Sequence, residues 1–441
     1  MNTKSKISLS DKIKNNSSLF IDFVKNAVSA SPKVQKNFLD VSAKLAETIQ
    51  KVLKEDNLII DLNYSGRDFW KKNKDKIACF IDGGIDKASL ISAAPLSIRA
   101  GSYIVQPSAE KRNEREFFEE TMTFLGDLYD PKNELYDLSD DDFEIDQMTN
   151  KKKDAGRIIF ELAALSKHIL LQKKFSYAFL HGPIQATCHP FTVPGFPTFT
   201  KFAVKNLFPA YGNKKLDAEA RHFVNVYLEG VRNIEKSNFP VFGIVESASS
   251  APYIKNLLYT CKERGLVSEK DYKNTLLTIK KYRISDSNLF EIILNENQAL
   301  KPLKIKKQIQ GFGFTSDSPW ERVMNSFPKV FISYIKTNNN QCPIRVESLK
   351  QPEDMVKDYE YILSTSKLLP NYGFPVGLNV VDRFAKIPNW MSKASRNYYA
   401  GHLLKQAVKN KDQNTISFAV KILSKKARSW INRPTRRGFK T

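Results

Sequence analysis

Three carboxylates interrupt apolar sequence where hydrophobic residues would be expected to continue. Asp82 follows the run ACFI in KIACFIDGGID (76–86), Glu161 lies within IIFELAAL, and Asp382 within GFPVGLNVVDRFAKI. A buried carboxylate without a partner is costly, so each needs a proton, a cation or an arginine. Three such groups meeting in space would supply the hard oxygen ligands that Mg²⁺ or Mn²⁺ takes. A divalent ion held there would align a water and neutralise charge on a scissile phosphate. Each acid also has a plainer reading. Asp-Gly often marks a turn at the end of a strand, and Arg157 lies one helical turn before Glu161, where the two can pair. The residues alone leave both readings open.

The elements that must hold these groups can be read from periodicity. KIACFI reads as a buried strand ending at Asp82, with Gly83 beside it to admit a close approach. ASLISAAPLSIRAGSYIVQ suggests two strands joined through Pro95, and KRNEREFFEETMTFLGDLY looks helical. The acidic run 137–147 lacks the glycine and terminal glutamate spacing of a calcium loop and reads as solvated. AGRIIFELAALSKHILLQ has helical spacing and leads into the short strand KFSYAFLHGPI, which ends at His181. The Pro-, Phe- and Gly-rich segment 186–215 looks like an inserted loop. Later strands are expected in FPVFGIVES, KVFISYIKT and CPIRVESL, with helices in AEARHFVNVYLEGVRNIEKS and PYIKNLLYTCKERG. The first 60 or so residues carry helical spacing. Strands and helices mix throughout, which points to a sheet with helices packed on it.

Composition limits the function classes. The 441 residues carry 69 Lys+Arg against 47 Asp+Glu, a net charge of +22, which favours a polyanionic partner, nucleic acid above all. The alternative is a generally basic surface with no such partner. No apolar run reaches the length of a membrane span. The polar, basic N-terminus has no apolar signal core, and the four cysteines form no CxxC pair, so a reduced, cytoplasmic chain is expected. There is no Walker A phosphate loop and no G-x-S-x-G turn, and GFGF (311–314) lacks dinucleotide-binding spacing. His181, Cys188 and His189 fit no common zinc spacing and have no fourth ligand nearby. Trp390, Trp430 and the arginines of the tail could grip single-stranded DNA, or form an incidental basic end.

The order of these segments resembles the NurA family of DNA-processing nucleases, from about Lys76 to Arg396. FIDGG opens the pattern, followed by LSIRAGSYIV, the helix with Glu161 and the strand ending at His181. GIVESASSAPYIKNLL, RISDSNLFEIIL, CPIRVESL and GFPVGLNVVDRFAKI follow in the family's order. The resemblance implies an RNase H-like α/β core: a mixed sheet flanked by helices, with an N-terminal helical extension (1–70), a nuclease domain (71–400) and a basic helical tail (401–441). It implies catalytic and metal-binding roles for Asp82, Glu161, Asp382 and His181, with Gly83, Phe374 and Glu246 lining the site. His181 stands where the family has an aspartate, and Glu246 where it has a lysine. Arg99, Lys255, Arg383 and Trp390 are the expected nucleic-acid contacts. The implied cofactor is Mn²⁺ or Mg²⁺. The implied partners are double- and single-stranded DNA, a HerA-type hexameric ATPase and a second copy of the chain, in DNA repair or anti-phage defence. The implied activity is 5′–3′ exonuclease and single-strand endonuclease cleavage; the competing expectation is a degenerate, DNA-binding adaptor subunit.

Overall fold

The computed structural model describes residues 28–29, 31–32, 37–64, 66, 68–87, 96–130, 142–185, 197–209, 216–305, 326–417 and 420–421. Ten strands form one mixed sheet: β1 (Ile59–Asp61), β2 (Ala78–Lys87), β3 (Leu96–Val105), β4 (Glu116–Gly126), β5 (Tyr177–His181), β6 (Val241–Val245), β7 (Gln298–Leu300), β8 (Leu303–Lys304), β9 (Phe331–Lys336) and β10 (Ile344–Ser348). Their order is β1-β7-β9-β10-β6-β5-β2-β3-β4, with β8 beside β9. β2, β3 and β4 run antiparallel, while β5 and β6 continue the sheet parallel to β2. This meander followed by two parallel strands is the RNase H-like arrangement.

Strand β2 does not stop at Asp82. Gly83 and Gly84 stay in the ladder, opposite Ala100 and Arg99, so the Asp-Gly-Gly segment is strand and not turn. What ends at Asp82 is the pairing with β5, whose last partners are Ile81 and Leu180. The carboxylate therefore stands where the parallel half of the sheet opens.

The segment after Pro107 also differs from its helical reading. Only Arg112–Arg115 is helical, and Glu116–Gly126 is the edge strand β4. Its charged residues suit an edge that faces water, and Thr121 and Phe124 are its buried positions. Residues 59–61, read as part of the helical extension, pair as β1 with β7. The acidic run is helical from Asp142 onward, because the helix bearing Glu161 starts there. Residues 88–95, Cys188, His189, GFGF and Trp430 lie outside the described residues.

Nine helices are used below: α1 (Lys44–Glu55), α2 (Asp142–Leu170), α3 (Phe223–Glu235), α4 (Pro252–Glu263), α5 (Glu269–Lys281), α6 (Asp286–Ile293), α7 (Tyr359–Ser366), α8 (Val376–Ala385) and α9 (Asn389–Lys409). Alternation in β2 divides the core. Cys79 and Ile81 join the larger apolar cluster with Ile159 and Phe160 of α2 and Val224 and Tyr227 of α3. Ala78 and Phe80 join a second cluster on the other face, with Ile362 of α7 and Leu378 and Val381 of α8. Phe80, Phe179 and Phe242 stack across three strands of that face, at ring separations of 5.1 and 5.8 Å. α2 and α8 thus cover opposite faces of the strand that carries Asp82.

Candidate metal centre

Period-two geometry explains which acids meet. Asp82 continues the 78, 80 face of β2, and His181 continues the 177, 179 face of β5, both towards α8. The β2–β5 register, carried one residue past Ile81 and Leu180, sets the two side by side. Helix α8 lies directly on this face and presents Asp382. The ligand atoms of Asp82, His181 and Asp382 all lie within 4.8 Å of one another.

Two glycines permit this closeness. A Cβ on Gly84 would stand 2.3 Å from the carbonyl oxygen of Ala385, the last residue of α8. A Cβ on Gly377 would stand 2.4 Å from the Phe80 ring, so the first turn of α8 also rests against the strand. Backbone and ring can come this near only where no side chain intervenes.

Glu161 comes from the other face of the sheet. It is 5% exposed and reaches the site past Gly83, where a Cβ would lie 3.1 Å from its Cγ and Oε1. Glu161 therefore adjoins Asp82 without joining the three mutually close ligands. Arg157 donates to Glu161 Oε1 at 2.8 Å, and its Nη1 is 3.8 Å from Asp82 Oδ1. Glu161 is thus salt-bridged to Arg157 and borders Asp82, while the mutually close group is Asp82, His181 and Asp382.

Asp82 is 2% exposed. Its Oδ1 accepts from the Gly83 N–H at 2.8 Å, and its Oδ2 lies 2.9 Å from His181 Nδ1. The His181 ring stands 5.4 Å from that of buried Phe374, which walls the site. Asp382 is half-exposed and accepts from Lys386 Nζ at 2.5 Å, one helical turn on.

Electrostatics mark the site as rich in negative potential. Burial raises the pKa of Glu161, Arg157 pulls it down, and the Asp82 charge pushes it up again, leaving a carboxyl that holds its proton well above the usual range. Burial opposes a charged His181, but its hydrogen bond to Asp82 and the charges of Asp82, Glu161 and Asp382 outweigh that effect, raising its pKa. The Glu161 charge raises the pKa of Arg157, and burial opposes it.

The donor set fits a divalent cation. Ligand atoms on opposite sides of an ion with bonds of about 2.1 Å stand roughly 4.2 Å apart, which the observed spread accommodates. Two carboxylates with one imidazole suit Mn²⁺ better than Mg²⁺, which prefers an all-oxygen shell. Burial is the main reason that Glu161 holds its proton, and a cation beside it would favour the charged form.

The model of the NurA domain family matches residues 76–387, well over half the chain. The chain belongs to the NurA domain family. Among solved structures, the NurA nuclease of Sulfolobus solfataricus is 12% identical, with 87% of this chain and 98% of that chain covered and a TM-score of 0.49. A NurA structure with manganese is 10% identical, with 86% and 98% covered and a TM-score of 0.42. A NurA structure bound to dAMP and manganese is 10% identical, with 81% and 93% covered and a TM-score of 0.41. Among curated proteins none matches this chain. The matched NurA domain takes in Asp82, Glu161, His181 and Asp382 alike.

The remaining expected residues scatter around this NurA centre. Arg99, opposite Gly84 on β3, stacks over the Phe118 ring at 5.1 Å and has its Nε 3.4 Å from Glu120. Arg383 and Trp390 are exposed on and just after α8, and Lys255 is half-buried in the first turn of α4. Glu246 is exposed one residue beyond β6 and stands outside the three-ligand group. Sequence reasoning missed Lys386. The i, i+4 spacing from Asp382 was the signal that could have found it. Among the described residues, no helix is long and apolar enough to cross a membrane.

Proposed function

We propose that this chain is a metal-dependent deoxyribonuclease that processes DNA ends. The observation that carries the reading is the convergence of Asp82, His181 and Asp382 within 4.8 Å, where the parallel half of the sheet opens, inside a NurA domain. Asp82, His181 and Asp382 would hold Mn²⁺ or Mg²⁺, with Glu161 beside them. When bound, the cation supplies charge neutralisation for a phosphodiester and a lowered pKa for water. The rest of the chemistry falls to the chain itself. Buried Asp82 is held rigid by the Gly83 N–H, and the Phe374 ring packs beside the His181 imidazole. Arg157 fixes Glu161, while Lys386 tethers the more exposed Asp382. The net charge of +22 supports a DNA substrate. A HerA-type hexameric ATPase as translocating partner, a homodimer, exonuclease and single-strand endonuclease cleavage, and a role in repair or phage defence complete the proposal.

One observation favours a second reading, a DNA-binding adaptor without cleavage. Arg157 and Lys386 already place two cations against the three acids. Purified chain incubated with linear duplex DNA and Mn²⁺, with and without the ATPase, separates the readings. Cleavage by wild type, reduced at least about a hundredfold in Asp82→Ala, is the expected result. Cleavage untouched by Asp82→Ala overturns the site, and no cleavage under any condition favours the adaptor.

A further inference from the structure

A cavity of about 720 Å³ opens between the loop that follows β6, the first turn of α4 and the end of α5, with a largely apolar lining that includes Leu276, Leu277 and Ile279. Ser247, Ser249 and Ser250 line one side; Lys255, Lys280 and Arg283 line the others. Among the described residues, no carboxylate lines it. Among the described residues, the side chains of these three cations make no ion pair or hydrogen bond. Neighbouring cations behave differently: Lys262 pairs with Glu269 at 3.0 Å and Arg264 with Asp56 at 2.6 Å. Three unpaired cations and three serines therefore share one concave space whose remaining lining is largely apolar.

Arg283 sits just beyond α5 at φ +52°, the left-handed conformation that Asn57, Gln172 and Lys411 also adopt just past α1, α2 and α9, and this exit from the helix sets it at the cavity. The N-terminus of α4 is not the attraction. Its Tyr253 and Ile254 N–H groups already donate to buried Asp286, at 2.7 and 3.1 Å. That carboxylate also accepts from the Tyr334 hydroxyl, so its oxygens are engaged in the core.

We propose that this cavity is a phosphate-binding site separate from the Asp82–His181–Asp382 centre, and that it receives a backbone phosphate of a nucleic-acid strand. β6 runs parallel to β5, so the loop that builds the cavity leaves the sheet at the edge where His181 lies. A strand engaged at the metal centre would then be anchored by a second phosphate. The identity of that strand as DNA rests on the proposed nuclease function; phosphate binding does not.

The test measures binding with EDTA present, so that cleavage plays no part. Full-length chain is titrated into a fluorescent single-stranded DNA oligonucleotide over a range of salt, and inorganic phosphate binding is measured by calorimetry. Lys280→Ala/Arg283→Gly should weaken strand binding about tenfold and lower the salt slope by about 0.7, one strand phosphate's worth. Glycine suits the backbone at 283, and an unchanged melting temperature confirms the fold; Lys255→Ala is the second variant and should weaken binding in the same direction. Loss of inorganic phosphate binding with strand affinity intact would support the phosphate site and assign it a free phosphate ligand. Unchanged binding of both overturns the proposal. So does an equal loss in Lys51→Ala/Lys54→Ala, which removes the same charge from α1.

Discussion

Arg157 and Asp82 face each other at 3.8 Å across the position where Gly83 has no side chain, and the same guanidinium holds Glu161 at 2.8 Å. One arginine thus balances two buried acids that come from opposite faces of the sheet. Removing it takes away the strongest influence that favours a charged Glu161, so that carboxyl holds its proton still more firmly and the loss of stability stays modest. Arg157→Ala should therefore melt only slightly below wild type without metal, and added Mn²⁺ should raise its melting temperature more than it raises that of wild type. Differential scanning fluorimetry with and without Mn²⁺ reads both shifts. Equal metal-induced shifts in the two proteins would mean that Arg157 does not share the site's charge.

Metal choice should follow His181. His181 sets an imidazole beside two carboxylates, a donor set that disfavours Mg²⁺ and is tolerated by Mn²⁺. Wild type is expected to bind Mn²⁺ at least about tenfold more tightly than Mg²⁺, and His181→Asp should narrow that ratio by strengthening Mg²⁺. Calorimetric titration with each ion decides it. A ratio that stays the same in His181→Asp would remove the histidine from the ligand set.

Gly84 links the packing to the chemistry. An alanine there puts a Cβ 2.3 Å from the Ala385 carbonyl oxygen, a backbone atom that cannot rotate away. Gly84→Ala should push the end of α8 off β2, carrying Asp382 with it, and cost on the order of 2–3 kcal/mol through overpacking. Urea denaturation gives the stability loss, and Mn²⁺ titration should show weaker binding. Gly83→Ala is the milder comparison, since its Cβ meets the Glu161 side chain at 3.1 Å.

Much of this centre was legible in sequence because the signals were local. Asp82, Glu161 and Asp382 each broke an apolar run, and the strand ending at His181 and the helix bearing Glu161 follow from period alone. What was not legible depends on partners far along the chain. β2 runs past Asp82 because β3 supplies Ala100 and Arg99 as partners for two glycines that read locally as a turn. Glu116–Gly126 is rich in Glu and reads as helix, yet β3 captures it as an edge strand through long-range pairing. Ile59–Asp61 finds its partner at Gln298–Leu300. Which face each acid occupies required the sheet register, and that is why Glu161 is set apart from Asp82, His181 and Asp382.

Acid should destabilise the fold through His168. Its ring is buried beside Ser102, with Nε2 at 2.7 Å from the hydroxyl, and burial lowers its pKa to about 4. An unfolded histidine titrates near 6.5, so between those values the unfolded chain binds the extra proton and the folded chain does not. The stability is fully present above about pH 6.5 and is lost as pH falls towards 4, by at most about 3 kcal/mol from this group. His168→Gln should lower stability at neutral pH but flatten its decline over that window. Melting curves from pH 7.5 to 4.5 on both proteins check the sign; parallel curves would assign the acid sensitivity to other groups, including His222, whose pKa burial also lowers to about 4.

Glu347 governs the segment just beyond His181. It is fully buried in β10, with Oε1 3.1 Å from Arg345 Nε, and its Oε2 accepts from the Gln185 N–H at 2.9 Å. The chain that leaves β5 through Gly182 and Pro183 is thereby pinned to a strand two positions away across β6. Glu347→Ala removes the carboxylate beside buried Arg345 and should cost about 3–5 kcal/mol. Glu347→Gln keeps an acceptor for Gln185 and loses only the charge, so it should retain more stability and more of the Mn²⁺ affinity at His181. If the two substitutions weaken Mn²⁺ binding equally, the hydrogen bond to the loop does not position the histidine, and the ion pair alone accounts for the buried glutamate.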